Sequence, residues 1–177
     1  MYKTLEFKDL IDASKSELIS KIGDNDLCIF DIDGVFFKNI FDINNLLGRI
    51  PDKLISAFKK LTHNSKVIWI FTDRWHILSN YHFANNILKS MKRDPLIYKS
   101  SKDFLNHNDI FSDSIIYGAK KKSLESKEVV KSAVKNFSKV YYFAAQDFPW
   151  AYKDKEMLDD LDKIDEFNNL VFVDIRM

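Results

Sequence analysis

The stretch LCIFDIDGVFF, residues 27–37, runs four mainly apolar residues directly into two carboxylates, Asp31 and Asp33. A short apolar run of this kind is typical of a strand that is buried on both faces of a parallel sheet. Gly34 follows the second carboxylate, and glycine lets the chain turn sharply without a Cβ in the way. The stretch therefore predicts a buried strand that delivers two acids to a tight turn.

Similar apolar runs recur along the chain, at residues 67–71, 95–98, 114–118, 140–144 and 170–175. Segments with helical spacing separate most of them, at about residues 8–21, 51–62, 76–92 and 124–137. This alternation predicts an α/β fold, a three-layer α/β/α Rossmann-like domain with a mostly parallel central sheet. The chain has four Gly, three Pro and no visible repeat, so we expect a single domain over residues 1–177.

The overall composition excludes several classes of protein. The 27 basic and 26 acidic residues give a net charge of +1, so charge alone does not indicate a nucleic-acid or membrane-surface protein. The single cysteine, Cys28, lies in the first apolar run and cannot form an internal disulfide. Neither a secretory signal nor an apolar membrane span is visible. The sequence predicts a soluble, cytoplasmic protein that does not enter a membrane.

Polar residues also follow two of the later apolar runs. Thr72 and Asp73 follow the second run, and Gln146 and Asp147 follow the run at 140–144. Ligands of parallel sheets bind beyond the carboxyl ends of the strands. We therefore expect these residues to converge with Asp31 on one edge of the sheet.

The first two clusters resemble motifs of the haloacid dehalogenase-like hydrolases. The first motif of these enzymes is an apolar strand followed by D-x-D-G, as at residues 27–34. Their second motif is an apolar strand that ends in Thr or Ser, as in VIWIFT with Thr72 last. The TDR sequence at 72–74 is also similar to the Thr-x-Arg of many members.

The later part of the chain is similar to one branch of this superfamily. Lys127 lies near the start of the helical segment ESKEVVKSAVKNF, and Asp147 ends AAQD after the next apolar run. This order of Lys, helix, strand and acid resembles the 3′-phosphatase module of polynucleotide kinases. The resemblance covers about residues 27–150 and implies a Rossmann-like hydrolase domain.

The resemblance implies a phosphomonoester hydrolase that forms an aspartyl-phosphate. Asp31 would be the nucleophile, since a carboxylate is already ionised at neutral pH and needs no general base. Asp33 would protonate the leaving oxygen and then deprotonate the attacking water. Thr72 and Lys127 would bind the phosphoryl oxygens, and Gly34 would let the chain turn beside the substrate.

The same resemblance implies a magnesium site and a substrate entrance. Mg²⁺ would be bound by the Asp31 carboxylate, the Asp33 backbone carbonyl and Asp147, because this ion prefers oxygen ligands. Asp73 and Arg74 would shape the substrate entrance or pair with neighbouring residues.

Several alternatives remain open at this stage. The related phosphatases carry two adjacent aspartates where this chain has Gln146 and Asp147. This difference points to an alternative function, a binding or regulatory protein with the hydrolase fold and weakened or no catalytic activity. Thr72 is also a residue type that caps helices. Taken alone, Lys127 fits a solvated lysine row with Lys131 and Lys135 better than it fits a phosphate-binding role. Lys122 is then the second candidate for the phosphate-binding lysine.

The spacing of the motifs leaves no room for a full cap domain, since the residues between Thr72 and Lys127 suffice only for a helix, a strand and a hairpin around residues 104–118. The resemblance implies that such an open site accepts a large phosphorylated substrate. Alternatively, a second copy of the chain or another partner protein closes the site. The substrate would be a phosphorylated small molecule or a nucleic-acid end. Five aromatic residues near the motifs favour base stacking in the nucleic-acid 3′-phosphatase alternative: Phe36, Phe37, Trp75, Phe148 and Trp150.

Overall fold

Seven parallel strands form one central sheet in this computed structural model. The structure describes residues 1–37, 44, 49–72, 78–117, 123–146, 152–164 and 167–176. The strands are β1 (Lys3–Phe7), β2 (Leu27–Phe30), β3 (Val67–Phe71), β4 (Leu96–Tyr98), β5 (Ser114–Ile116), β6 (Val140–Ala144) and β7 (Leu170–Ile175). Their spatial order is β1-β7-β6-β2-β3-β5-β4.

Helices cover both faces of the sheet within the described ranges. Their bounds are α1 (Leu10–Ala13), α2 (Leu18–Lys21), α3 (Asp52–Thr62), α4 (Leu78–Lys89), α5 (Ser101–His107), α6 (Leu124–Asn136) and α7 (Tyr152–Ile164). One core cluster joins the sheet to α1 through α4, and a second joins its other face to α5, α6 and α7. The predicted three-layer α/β/α arrangement is confirmed, and every strand pairing among the described residues is parallel.

The central strands form because their side chains are apolar on both faces. Every residue of β2, β3 and β6 is buried. Successive side chains alternate between the two cores, with Phe30 and Phe143 on the α1–α4 face and Ile29 and Tyr142 on the α5–α7 face. Among the helices that the structure describes, none is long and apolar enough to cross a membrane.

Three parts of the chain differ from the sequence-based expectation. Residues 3–7 form edge strand β1, which the apolar pattern did not predict because its side chains are partly or fully exposed. The helix predicted over 8–21 is instead two four-residue helices, α1 and α2. A hairpin expected around residues 104–118 is also wrong, since this region contains helix α5 and strand β5, which is parallel to both of its neighbours.

The direction of chain progression reverses between β2 and β6. From β2 the chain continues to β3 and the strands beyond it, whereas β6 and β7 lie on the other side of β2. Helix α3 connects β2 to β3 on one face, and α7 connects β6 to β7 on the opposite face. Such a reversal leaves a crevice at the carboxyl ends of the two strands, where ligands of α/β proteins bind.

Aromatic packing supports β2 below this crevice. The Phe30 ring stacks on Phe143 with 4.2 Å between ring centroids and meets Phe58 of α3 edge-on at 4.8 Å. Cys28 is buried in the same core, and burial raises the pKa of its thiol to about 12. The thiol is therefore protonated at neutral pH and fills space in the core.

Replacing Phe30 by Ala should lower the free energy of unfolding by about 3–5 kcal/mol, because the substitution leaves a cavity among rings that cannot collapse fully. Leu96→Ala on edge strand β4 is the control, since this side chain is 41% exposed and its loss should cost less than about 1 kcal/mol. Urea unfolding measures both values. Similar losses in the two variants would contradict the packing described for β2.

Candidate active site

Asp31 lies at the carboxyl end of β2, beside the crevice. Its backbone N–H donates to the Phe143 carbonyl at 2.9 Å, so the pairing with β6 continues one residue beyond the strand. Phe30 and Ile32 belong to the core on the α1–α4 face, and strand alternation therefore directs Asp31 toward the α5–α7 face. The side chain of Asp31 is largely buried, and its Oδ1 accepts a hydrogen bond from the Ile32 N–H at 2.8 Å.

The residues after Asp31 form a tight turn. Gly34 has φ of 80°, a conformation that side chains with a Cβ rarely adopt. Its N–H donates to the Phe37 carbonyl at 2.9 Å, and the Phe36 N–H donates to the Ile32 carbonyl at 3.0 Å. The turn therefore holds Asp33, which is also largely buried, next to Asp31 at the edge of the sheet.

Thr72 lies on the neighbouring strand at the same edge. Its N–H donates to the Ile116 carbonyl at 3.0 Å, and its side chain is buried. Phe30 is in register with Ile70, so Thr72 stands one residue further along its strand than Asp31 does. Adjacent strands are about 4.8 Å apart. The fold therefore brings Asp31, Asp33 and Thr72 together at one edge.

Gln146 follows β6 on the other side of Asp31. Its backbone N–H donates to Asp174 Oδ1 at 2.9 Å, and Asp174 lies in β7 with a fully buried side chain. Sequence reasoning did not identify Asp174 as a residue near the site. The available signal was an acid inside the otherwise apolar run LVFVDI.

Lys127 lies on α6 and contacts helix α7. Its Nζ is 3.7 Å from the Asp160 carboxylate, and the two side chains are 25% and 44% exposed. Exposed ion pairs of this kind contribute about 1 kcal/mol or less. A phosphoryl group that binds Lys127 must therefore displace only the weakly bound Asp160 carboxylate. Lys131, one turn later, pairs with Glu128 on its own helix.

Several predicted site residues lie outside the described residues. They are Asp73, Arg74, Lys122 and Asp147, together with three of the aromatic residues, Trp75, Phe148 and Trp150. Their roles stay predictions.

The expectation that Phe36 and Phe37 stand at the mouth of the site is wrong. Both side chains are only 3% exposed. The turn folds them back onto the core, where both rings meet Phe83 of α4 edge-on, at 5.1 and 4.7 Å between centroids. These two rings stabilise the turn through their contacts with the core and are not available to stack on a base.

The donor atoms at this edge suit a hard cation. Asp31 and Asp33 supply oxygen atoms, which Mg²⁺ prefers. In the part of the chain that the structure describes, no group of three or more His, Cys, Asp or Glu residues is placed to hold a metal ion. The predicted magnesium site therefore depends on Asp147 as its third ligand.

A cavity of about 590 Å³ lies away from this edge, between β1 and α7. It is lined by Met1, Tyr2, Thr4, Lys155, Asp159, Asp162 and Lys163. Burial and the adjacent Asp159 raise the pKa of Tyr2, whose hydroxyl donates to that carboxylate. Although burial alone would raise the pKa of Asp159, the hydrogen bonds from Tyr2 and Lys155 lower it. These polar groups bond to one another, so we place the candidate site at the crevice instead.

Comparison of the chain with protein families, curated proteins and solved structures found no match.

Replacing Gly34 by Ala should lower the free energy of unfolding by about 1–2 kcal/mol, because a Cβ is strained at this positive φ. Gly23→Ala is the matched control, since an added Cβ there meets Asp26 Oδ2 at an ordinary contact distance of 3.5 Å. That control should change stability by about 0.5 kcal/mol at most. Urea unfolding of both variants makes the comparison, and equal effects would contradict the turn described at Asp33.

Proposed function

We propose that this protein is a magnesium-dependent phosphomonoester hydrolase that forms an aspartyl-phosphate on Asp31, as its resemblance to the haloacid dehalogenase-like hydrolases implies. One observation carries the proposal. Two largely buried carboxylates, Asp31 and Asp33, stand on a tight turn at the point where the strand order reverses. Thr72 supports it from the adjacent strand.

The first step of this reaction is attack by an Asp31 oxygen on the phosphorus atom. A bond forms between that oxygen and phosphorus while the bond from phosphorus to the ester oxygen breaks. Asp33 in its protonated form gives its proton to the departing ester oxygen, which leaves as an alcohol. The hydrogen bond from the Ile32 N–H to Asp31 Oδ1 helps to hold the nucleophile in position.

The second step is hydrolysis of the aspartyl-phosphate. Asp33, now ionised, accepts a proton from water as the water oxygen bonds to phosphorus. The bond from phosphorus to the Asp31 oxygen then breaks, which restores the Asp31 carboxylate, the protonated Asp33 and free phosphate.

Charge is the main obstacle to this chemistry, because the Asp31 carboxylate must attack an anionic substrate. Magnesium, when bound by Asp31, the Asp33 carbonyl and Asp147, would reduce the repulsion between nucleophile and phosphate. The Thr72 hydroxyl and a lysine ammonium would bind the remaining phosphoryl oxygens.

We propose a phosphorylated small molecule as the substrate, ahead of a nucleic-acid end. Burial of Phe36 and Phe37 removes two of the five aromatic residues that a base-stacking surface would use. Cleavage of 3′-phosphorylated oligonucleotides in preference to phosphorylated small molecules, with steep salt dependence, would reverse this order.

The wild-type protein should release phosphate from para-nitrophenyl phosphate only when magnesium is present, and Asp31→Asn should abolish the release. Asp33→Asn should lower the rate by about 10²–10⁴-fold, the usual contribution of acid–base catalysis. Asp24→Asn is the control, because this exposed acid precedes β2 at the opposite edge of the sheet. Equal rates in wild type and Asp31→Asn would refute the proposal.

Gln146 favours a second candidate function, a binding or regulatory protein that keeps the hydrolase fold. If this candidate is correct, the wild-type rate will lie at background and Gln146→Asp will raise it by restoring the missing acid. Strong wild-type turnover would exclude this candidate.

The lysine assignment also gives a prediction. Lys127→Ala should lower kcat/KM at least about tenfold, while Lys131→Ala, one turn along the same helix, should have little effect. Asp160→Asn should lower KM, because it removes the carboxylate that competes with phosphate for Lys127. If Lys127→Ala behaves like Lys131→Ala and Lys122→Ala is inactive, Lys122 is the phosphate-binding residue.

A further inference from the structure

We propose that Asp174 is a positioning residue for the candidate active site. It binds the backbone of Gln146, the residue before the predicted ligand Asp147, to strand β7. This inference rests on the proposed function, because it assigns Asp174 the task of fixing the segment that carries a predicted magnesium ligand.

The contact between Asp174 and this segment is direct. Asp174 Oδ1 accepts the backbone N–H of Gln146 at 2.9 Å. Ala144, two residues earlier, is in register with Asp174, so the hydrogen bond begins where the ladder between β6 and β7 ends. Asp174 therefore binds Gln146, the residue before Asp147, to β7 beyond the end of the ladder.

Asp174 is too far from the nucleophile to act on the phosphate itself. The register places Glu6, Asp174, Ala144 and Asp31 side by side at the same level of four neighbouring strands. Asp174 and Asp31 are thus two strands apart, or about 10 Å. Asp174 and Asp31 both point toward the α5–α7 face, since their sequence neighbours belong to the opposite core. This geometry fits a supporting role.

Arg176 compensates the charge of Asp174. The Asp174 side chain has no exposure to solvent, and a buried carboxylate needs an opposite charge. Arg176 Nε donates to Asp174 Oδ2 at 2.9 Å, and its Nη2 donates to Glu6 Oε1 at 2.6 Å. The Arg176 backbone N–H also donates to the Phe7 carbonyl at 2.8 Å. Glu6 and Phe7 of edge strand β1 therefore hold Arg176 in the position from which it binds Asp174.

Stability alone does not explain an acid at this position. A buried ion pair is on average no more stabilising than well-packed apolar side chains, and the other five residues of β7 are apolar. What an apolar residue could not supply is the acceptor for the Gln146 N–H. We therefore assign Asp174 to the segment that it holds.

The test compares Asp174→Ala with Asp26→Ala. Asp26 is the matched control because it is also a buried acid that accepts a backbone N–H, that of Gly23 at 2.8 Å, but it lies at the opposite edge of the sheet. The first readout is hydrogen exchange of the Gln146 amide by NMR. The second is the magnesium concentration that gives half-maximal phosphate release, with direct magnesium binding measured by calorimetry.

In Asp174→Ala, we expect the Gln146 amide to exchange at least about fivefold faster relative to the Ala144 amide, since one hydrogen bond is lost. We also expect the magnesium concentration that gives half-maximal phosphate release to rise about tenfold, the usual cost of losing a group that orients a metal ligand. Asp26→Ala should lower stability and leave both values unchanged. Asp174→Asn keeps an oxygen acceptor and should change both the exchange rate and the magnesium requirement less than Asp174→Ala does. If Asp174→Ala does not fold, Asp174→Asn is measured in its place.

Two results would overturn the inference. Unchanged Gln146 exchange in a folded Asp174 variant would show that the acid does not hold the segment. Faster exchange with unchanged magnesium affinity would show that holding the segment does not position a ligand. If the wild type binds no magnesium and shows no Asp31-dependent activity, the proposed function fails, while the exchange measurement still decides whether Asp174 holds the segment.

Discussion

The central constraint in this structure is the burial of carboxylates at the carboxyl ends of apolar strands. Moving a carboxylate out of water is costly unless hydrogen bonds or opposite charges compensate it. Asp31, Asp33 and Asp174 are 6%, 8% and 0% exposed; the first two follow β2, where the strand order reverses, and Asp174 lies two strands away in β7. The Ile32 N–H binds Asp31, and Gln146 and Arg176 bind Asp174. These hydrogen bonds offset part of the cost of burying the two acids.

Most of the fold could be predicted because its central strands are buried on both faces. Such strands read as continuous apolar runs, as β2, β3 and β6 do. Edge strand β1 was missed because its exposed side chains give no such run. The hairpin around 104–118 was wrong because β5 pairs in parallel with β3 and β4, and pairing between distant segments leaves no local signal in the sequence.

The site could be predicted in part. The strand-end positions of Asp31 and Thr72 follow from the apolar pattern and from the geometry of parallel sheets. The contact between Asp174 and Gln146 could not be predicted, because it joins two strands whose register the sequence does not give. The contact between Lys127 and Asp160 likewise depends on how two helices pack. Phe36 is buried because the turn at Gly34 directs it back to the core, although its position after the acids suggested exposure.

The most direct test of an aspartyl-phosphate mechanism is to identify the phosphorylated residue itself. The protein is mixed with a phosphomonoester and magnesium, quenched with acid within the first turnover, and digested for mass spectrometry. Attack by Asp31 predicts one added phosphoryl group on this residue, which disappears as hydrolysis proceeds. Phosphate release without any phosphorylation of Asp31 would contradict this mechanism.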